Sequence, residues 1–245
     1  MVLINSSNSS SVTEGSSLTV PSRGGWGWLL LPILLQLVAA NIVWGVFMFK
    51  LRDPAAAGSA SGAVGPVTWS ILQLILLWLA YWRLKRLGRP LWNLVGFEKI
   101  SLHFDIILSI GLAVLSTGII QASEKLMSLI FPPFGGEGGS LPFPFWAIIW
   151  WMSIGSVTAG IGEEAYFRGF LMERFGRFSA IPLLLLTSLF FSLWHLYPPM
   201  LLHTFLIGIL FGAVYLRTQR LFPVMLAHLI TNAIGGAWML LFGTA

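Results

Sequence analysis

Seven long apolar runs, separated by short polar or basic linkers, constrain the fold of this chain more than any other feature. They cover approximately residues 26–49, 64–82, 102–123, 145–165, 180–197, 200–216 and 222–243. About 20 apolar residues suffice to span a bilayer as an α-helix. The chain is therefore predicted to be an all-α integral membrane protein, a bundle of about seven to eight transmembrane helices. Only 9% of the residues are charged, against about 25% in soluble domains, which agrees with this class.

The chain is divided by composition into three parts. Residues 1–25 are rich in Ser, Asn and Gly and are predicted to be a disordered tail. Residues 26–144 hold the N-terminal transmembrane helices and end in a Pro/Gly-rich stretch, 131–144, that is predicted to be a loop on the non-cytoplasmic side. Residues 145–245 hold the remaining spans.

The basic residues indicate the topology. They collect in the linkers 83–99, 168–177 and 217–220, which alternating spans place on one side of the membrane. An excess of Lys and Arg marks the cytoplasmic side, and the net charge of +5 is explained in this way. Membrane topology accounts for these basic residues, so nucleic-acid binding is not expected. We predict a multi-pass protein of a plasma membrane with the three linkers toward the cytoplasm.

Charged side chains in the hydrocarbon region are costly and usually functional, so their positions are informative. Glu163 and Glu164 stand at the end of the apolar run from Phe145 to Gly162, and Arg168 lies four residues after Glu164. An i,i+4 ion pair accounts for Glu164 and Arg168. Glu163 lies about 100° around the helix and has no basic neighbour in sequence, so it is a candidate functional carboxylate.

Two further helices carry paired residues at i,i+4 spacing, which places both members on one helix face. The first pair is Phe191 and His195, and the second is His228 and Asn232. A lone histidine on an apolar face is more often a packing residue, but a repeated pair together with a glutamate elsewhere is not typical of packing. We therefore include His195, His228 and Asn232 in the candidate site.

The predicted depths of these residues allow them to meet. If the fourth span continues through Arg174, Glu163 and His195 both lie about 20–25 Å from the turn at 176–180, since a helix rises 1.5 Å per residue. His228 and Asn232 lie about 9–15 Å from the turn at 219–221 by the same count. The four side chains can therefore converge in one cavity, nearer the cytoplasmic face.

This set of side chains supports hydrolysis of a peptide bond. A carboxylate and an imidazole in a low-dielectric cavity can activate water, and a second imidazole with a carboxamide can stabilise an oxyanion. Alternatively, Glu163, His195 and His228 could hold a divalent metal such as Zn²⁺, because three ligands and an open position are the catalytic zinc pattern. Both forms of water activation are open at this point.

The sequence lacks the residues that other classes of protease need. There is no Cys, no HExxH helix and no G-x-S-x-G elbow. The aspartates, Asp53 and Asp105, lie at span edges and cannot form an intramembrane dyad. By contrast, three other motifs are present in this order: Glu163-Glu164-x-x-x-Arg168, Phe191-x-x-x-His195 and His228-x-x-x-Asn232. Taken together, they resemble the CAAX-processing and bacteriocin-processing family of intramembrane proteases, the type II CAAX prenyl endopeptidases.

The resemblance implies an endopeptidase that cuts a peptide bond near the membrane surface. By matching position, Glu163 and His195 would activate water and His228 with Asn232 would stabilise the oxyanion. The other residues of the motifs, Glu164, Arg168 and Phe191, would support the site. Members of the family have been described both as glutamate proteases and as metalloproteases.

The resemblance also implies a catalytic helical core over residues 145–245 around a polar catalytic cavity. It implies a bacterial plasma membrane with the active site toward the cytoplasm, and it implies partners. The expected substrate is a peptide or protein at the membrane, lipidated in the CAAX type, with membrane lipids around it, and bacterial relatives act in bacteriocin maturation and immunity.

Two other functions are alternatives to a protease. One is a small transporter in which buried Glu and His side chains relay protons or bind a cation, and the other is an inactive scaffold that has lost its catalysis.

Overall fold

The computed structural model describes residues 25–96, 101–130 and 143–242. The described elements are helices, which confirms the all-α fold class. In chain order they are α1 (Gly27–Leu51), α2 (Pro54–Arg86), α3 (Leu91–Val95), α4 (Leu102–Ile130), α5 (Phe145–Arg174), α6 (Ala180–Trp194), α7 (Pro198–Thr218) and α8 (Phe222–Phe242). The predicted tail 1–25 and loop 131–144 lie outside the described residues, apart from their last one or two positions.

Six of these helices are long and apolar enough to cross a bilayer: α1, α2, α4, α5, α7 and α8. The segment predicted as the fifth span, 180–197, instead contains the 15-residue apolar helix α6. Large apolar side chains cover the outside of the bundle, including Phe49 at 83% exposure and Leu241 at 72%. A soluble monomer rarely exposes so large an apolar surface, and the described fold is that of a multi-pass membrane protein.

Helix α5 is the central element of the bundle, with α2 packed on one side and α8 on the other. Two glycines allow these contacts to be close. A Cβ at Gly160 would lie 2.7 Å from the carbonyl oxygen of Met225 on α8, and one at Gly162 would clash with the carbonyl oxygen of Gln73 on α2. Small residues let helix backbones approach within a membrane, so that polar side chains on α5 can reach both neighbours.

The three basic linkers lie at one end of the bundle, as predicted. Arg89 forms an ion pair of 3.2 Å with Glu173, which joins the first linker to the second. The backbone N–H of Leu221 donates to the carbonyl of Leu94 at 2.8 Å, which joins the first linker to the third. This end of the bundle therefore carries the excess of positive charge, although Lys99 of the first linker lies outside the described residues.

Candidate active site

Glu163 lies in the middle of α5 and is 98% buried, since its relative exposure is 2%. Its Oε1 accepts a 2.8 Å hydrogen bond from Nε2 of Gln73 on α2. Its Oε2 is also buried but has no hydrogen-bond partner among the described residues. Glu163 thus has one oxygen that is held and one that is available to a molecule in the site.

Glu164 and Arg168 form the ion pair that their spacing predicts, with 2.8 Å between Oε1 and Nη1. Both side chains are buried, at 0% and 2% exposure, instead of lying at an exposed helix end. The backbone that follows Glu164, Ala165–Leu171, includes Arg168 and is π-helical, a local widening that is frequent at functional sites. Breaking a buried pair of this kind leaves an uncompensated charge and is strongly destabilising.

His228 on α8 stands between the two carboxylates. Its Nδ1 lies 2.7 Å from Oε1 of Glu164, within hydrogen-bonding distance. Its Nε2 lies 4.0 Å from Oε2 of Glu163, which is too long for a direct hydrogen bond. Such a separation is one that a single water or substrate oxygen can bridge.

His195 caps the C-terminal end of α6, where the chain reverses direction inside the bundle. Leu196 takes a left-handed conformation with φ of 51°, and Pro198 then begins α7. The Nδ1 of His195 lies 2.9 Å from the carbonyl oxygen of Phe191, and its ring packs on that of Trp69 with centroids 5.6 Å apart. His195 lies within electrostatic range of Glu163 and His228, but it forms no ion pair with a carboxylate in the described part of the chain.

Phe191 packs against the site residues, whereas Asn232 makes no hydrogen bond with them. The ring of Phe191 packs under the guanidinium of Arg168, at 4.2 Å, and edge-on to the rings of His195 and His228. Asn232 lies one helical turn beyond His228 on α8 and is half-buried. It makes no hydrogen bond to any described residue, so its amide is free to bind a ligand.

The described residues do not form a ready metal-binding group. Nowhere in 25–96, 101–130 or 143–242 do three or more His, Asp or Glu side chains come together in a way that could hold an ion. Nε2 of His228 lies 4.0 Å from Oε2 of Glu163. The suggested Zn²⁺ site at Glu163, His195 and His228 stays a prediction.

Two residues of the site, Gln73 and Thr158, lie outside the sequence motifs. Gln73 on α2 holds Glu163, and its own Oε1 accepts a 2.6 Å hydrogen bond from the hydroxyl of Thr158 on α5. The sequence contains one weak indication of this role: Gln73 is a lone amide within an apolar run of a membrane helix. Such a group must find a partner inside the protein, although the sequence does not say which one.

Fold and site together define a multi-pass membrane protein with a buried pair of glutamates and two histidines. Residues 144–234, which include α5 to α7 and the first part of α8, match the family model described as type II CAAX prenyl endopeptidase Rce1-like. This segment of the chain therefore matches the CAAX protease family, which confirms the resemblance seen in its motifs. No curated protein and no solved structure matches the chain.

Proposed function

We propose that this protein is an intramembrane endopeptidase in which Glu163 is the general base. The observation that carries the proposal is the 4.0 Å separation of Nε2 of His228 from Oε2 of Glu163, a buried oxygen without a hydrogen-bond partner among the described residues. A water beside Glu163 and the carbonyl oxygen of a peptide beside His228 would then be neighbours. They would become the two oxygens of one tetrahedral intermediate.

The hydrogen bonds of the two histidines support different roles for them. The Phe191 carbonyl can only accept, so Nδ1 of His195 carries the hydrogen and Nε2 of its neutral ring is an acceptor. His195 is therefore suited to orient the water. Nδ1 of His228 likewise donates to the ionised Glu164, and His228 becomes a donor at Nε2 as well when it is protonated.

The oxyanion role requires a hydrogen on Nε2 of His228. The ring lies between the carboxylates of Glu163 and Glu164, and the single guanidinium of Arg168 is paired with Glu164, so that an imidazolium at His228 would have a carboxylate on either side. A charged donor aimed at a developing oxyanion is the arrangement that contributes most to acyl-transfer catalysis, and the free amide of Asn232 can supply a second donor.

The reaction follows from these roles. The water oxygen forms a bond to the carbonyl carbon, its proton passes to Oε2 of Glu163, and the carbonyl oxygen takes the negative charge beside His228 and Asn232. When the carbon–nitrogen bond breaks, the proton on Glu163 passes to the leaving amine. The products are a carboxylic acid and an amine, and the same residue acts first as base and then as acid.

We infer that the substrate is a peptide or protein segment at the membrane. The site lies within the bundle, and His228 is six residues from the start of α8 at the basic end, roughly 9 Å along the helix. The Lys/Arg bias supports a cytoplasmic orientation of this end in a bacterial plasma membrane. A lipidated CAAX-type substrate and a bacteriocin or immunity peptide are the two substrate classes that the family suggests.

The test compares membranes of cells that express the wild type with membranes of cells that express Glu163→Gln. Quantitative proteomics should find at least one membrane protein that accumulates uncut with Glu163→Gln, and a peptide across its cleavage site should then be cut by the purified wild-type enzyme. Glu163→Gln keeps the hydrogen-bonding shape of the residue but cannot take up the proton. If purified Glu163→Gln cuts that peptide at the wild-type rate, the proposed mechanism is wrong.

A further inference from the structure

Gln73 is the residue of α2 that reaches furthest into the candidate site. It is 95% buried, since its exposure is 5%, and its Nε2 donates to Oε1 of Glu163 at 2.8 Å. The two residues are 90 positions apart in the chain, and Gln73 lies outside the segment that matches the family model. The site at Glu163 is therefore completed by a helix of the N-terminal half.

The orientation of the Gln73 amide is determined by its neighbours. An ionised carboxylate only accepts hydrogen bonds, so the NH₂ group must face Glu163 and the amide oxygen must face away. That oxygen accepts a 2.6 Å hydrogen bond from the hydroxyl of Thr158, five residues before Glu163 on α5. Thr158, Gln73 and Glu163 thus form a chain of hydrogen bonds that runs in one direction, and each bond polarises the next.

A second residue of α2 approaches the site from the same helix face. Trp69 is four residues before Gln73, so the two side chains lie one turn apart on α2. Its ring packs on the imidazole of His195 and edge-on to the ring of Trp194. One face of α2 therefore contacts both the carboxylate and the imidazole that are proposed to orient the water.

We propose that Gln73 is a positioning residue, which fixes the carboxylate of Glu163 so that Oε2 faces His228, and that Thr158 holds Gln73 in place. This inference rests on the function proposed above. The bond to Oε1 is the hydrogen bond that the described residues make to this carboxylate, since its Oε2 has no partner among them. Without that bond, the rotation of the carboxylate would no longer be fixed.

Infrared spectroscopy of the full-length protein in lipid nanodiscs tests this geometry without a substrate. The difference between wild type and Glu163→Gln identifies the carboxylate stretching bands of Glu163. The same difference taken on a Gln73→Leu background should show a changed splitting of these bands, because one oxygen has lost a hydrogen bond. Thr158→Val should change it in the same direction by a smaller amount, and it serves as the deciding variant if Gln73→Leu does not fold.

Gln36→Leu is the matched control. It makes the same substitution in α1, at an amide whose buried Oε1 has no hydrogen-bond partner in the described part of the chain. Its Glu163 bands should be those of the wild type. Unchanged bands in folded Gln73→Leu, or in Thr158→Val if that variant alone folds, would overturn the proposal.

Kinetics on the peptide found by proteomics separates positioning from general stability. Gln73→Leu should lower kcat by about ten- to a hundredfold, the equivalent of one hydrogen bond to a charged group, with KM changed by less than about twofold. A raised KM with unchanged kcat would assign Gln73 to substrate binding instead and contradict the inference. An active Glu163→Gln would overturn the proposed function, while the infrared bands would still report whether Gln73 holds Glu163.

Discussion

His228 binds Glu164 more closely than Glu163: its Nδ1 lies 2.7 Å from Oε1 of Glu164, whereas its Nε2 lies 4.0 Å from Oε2 of Glu163. The adjacent glutamates therefore face opposite nitrogens of the same ring. Glu164 orients the imidazole and is itself paired with Arg168, while Glu163 keeps an oxygen free. This division supports a catalytic role for Glu163 and a positioning role for Glu164.

Substitution of Glu164 should reduce activity without abolishing it. Glu164→Gln keeps an acceptor for Nδ1 of His228 but removes the negative charge beside its ring. We expect kcat to fall by about ten- to a hundredfold, the equivalent of a charge-assisted hydrogen bond. The measurement is cleavage of the peptide substrate, with Glu163→Gln as the inactive reference. Equal inactivity of the two variants, both folded, would contradict the division of roles.

Arg168→Met should destabilise the fold far more than the same change at Arg89. Arg168 is buried against Glu164, and its removal leaves a buried negative charge, which costs about 3–5 kcal/mol. Arg89 is 53% exposed in its ion pair with Glu173, and surface pairs contribute only about 0–1 kcal/mol. The free energy of unfolding in mixed micelles measures both. Equal losses would show that the Glu164–Arg168 pair is not buried as described.

The sequence predicted those parts of the site that depend on spacing within one helix. The i,i+4 rule placed Glu164 beside Arg168, and the carbonyl of Phe191 does meet His195 one turn later. Such pairs are determined by the helical repeat alone, so that no knowledge of the packing is needed. The all-α fold followed for a similar reason, because only helices satisfy the backbone of apolar runs of this length in a membrane.

Contacts between helices could not be predicted from the sequence. The bond from Gln73 to Glu163 depends on how α2 packs against α5, and no periodicity contains that information. The same holds for His228, whose closer approach to Glu164 than to Glu163 depends on the rotation of α8. The predicted fifth span was also longer than α6, because apolar composition does not show that the helix ends at Trp194, where the chain turns into Pro198.

Gly162→Ala should impair the site through the contact of α5 with α2. The added Cβ would clash with the backbone carbonyl of Gln73, which cannot rotate away, so α2 must shift and the bond to Glu163 must lengthen. We expect a loss of about 1–3 kcal/mol in stability and a lower kcat. Gly118→Ala on α4 is the matched control, because its Cβ meets nothing within 4 Å. Peptide cleavage and the free energy of unfolding, measured for both variants, check this prediction. A fully active Gly162→Ala would contradict it.

Removal of metal should leave the activity intact. The described residues bring no three His, Asp or Glu side chains into a metal-binding group, and Oε1 of Glu163 is already bonded to Gln73. A base that activates water directly needs only Oε2 and the two imidazoles. The measurement is peptide cleavage after exhaustive chelation, together with elemental analysis of the same sample. Loss of activity that one equivalent of Zn²⁺ restores would contradict the prediction, since Glu163, His195 and His228 would then have to move to about 2.0–2.2 Å from one ion.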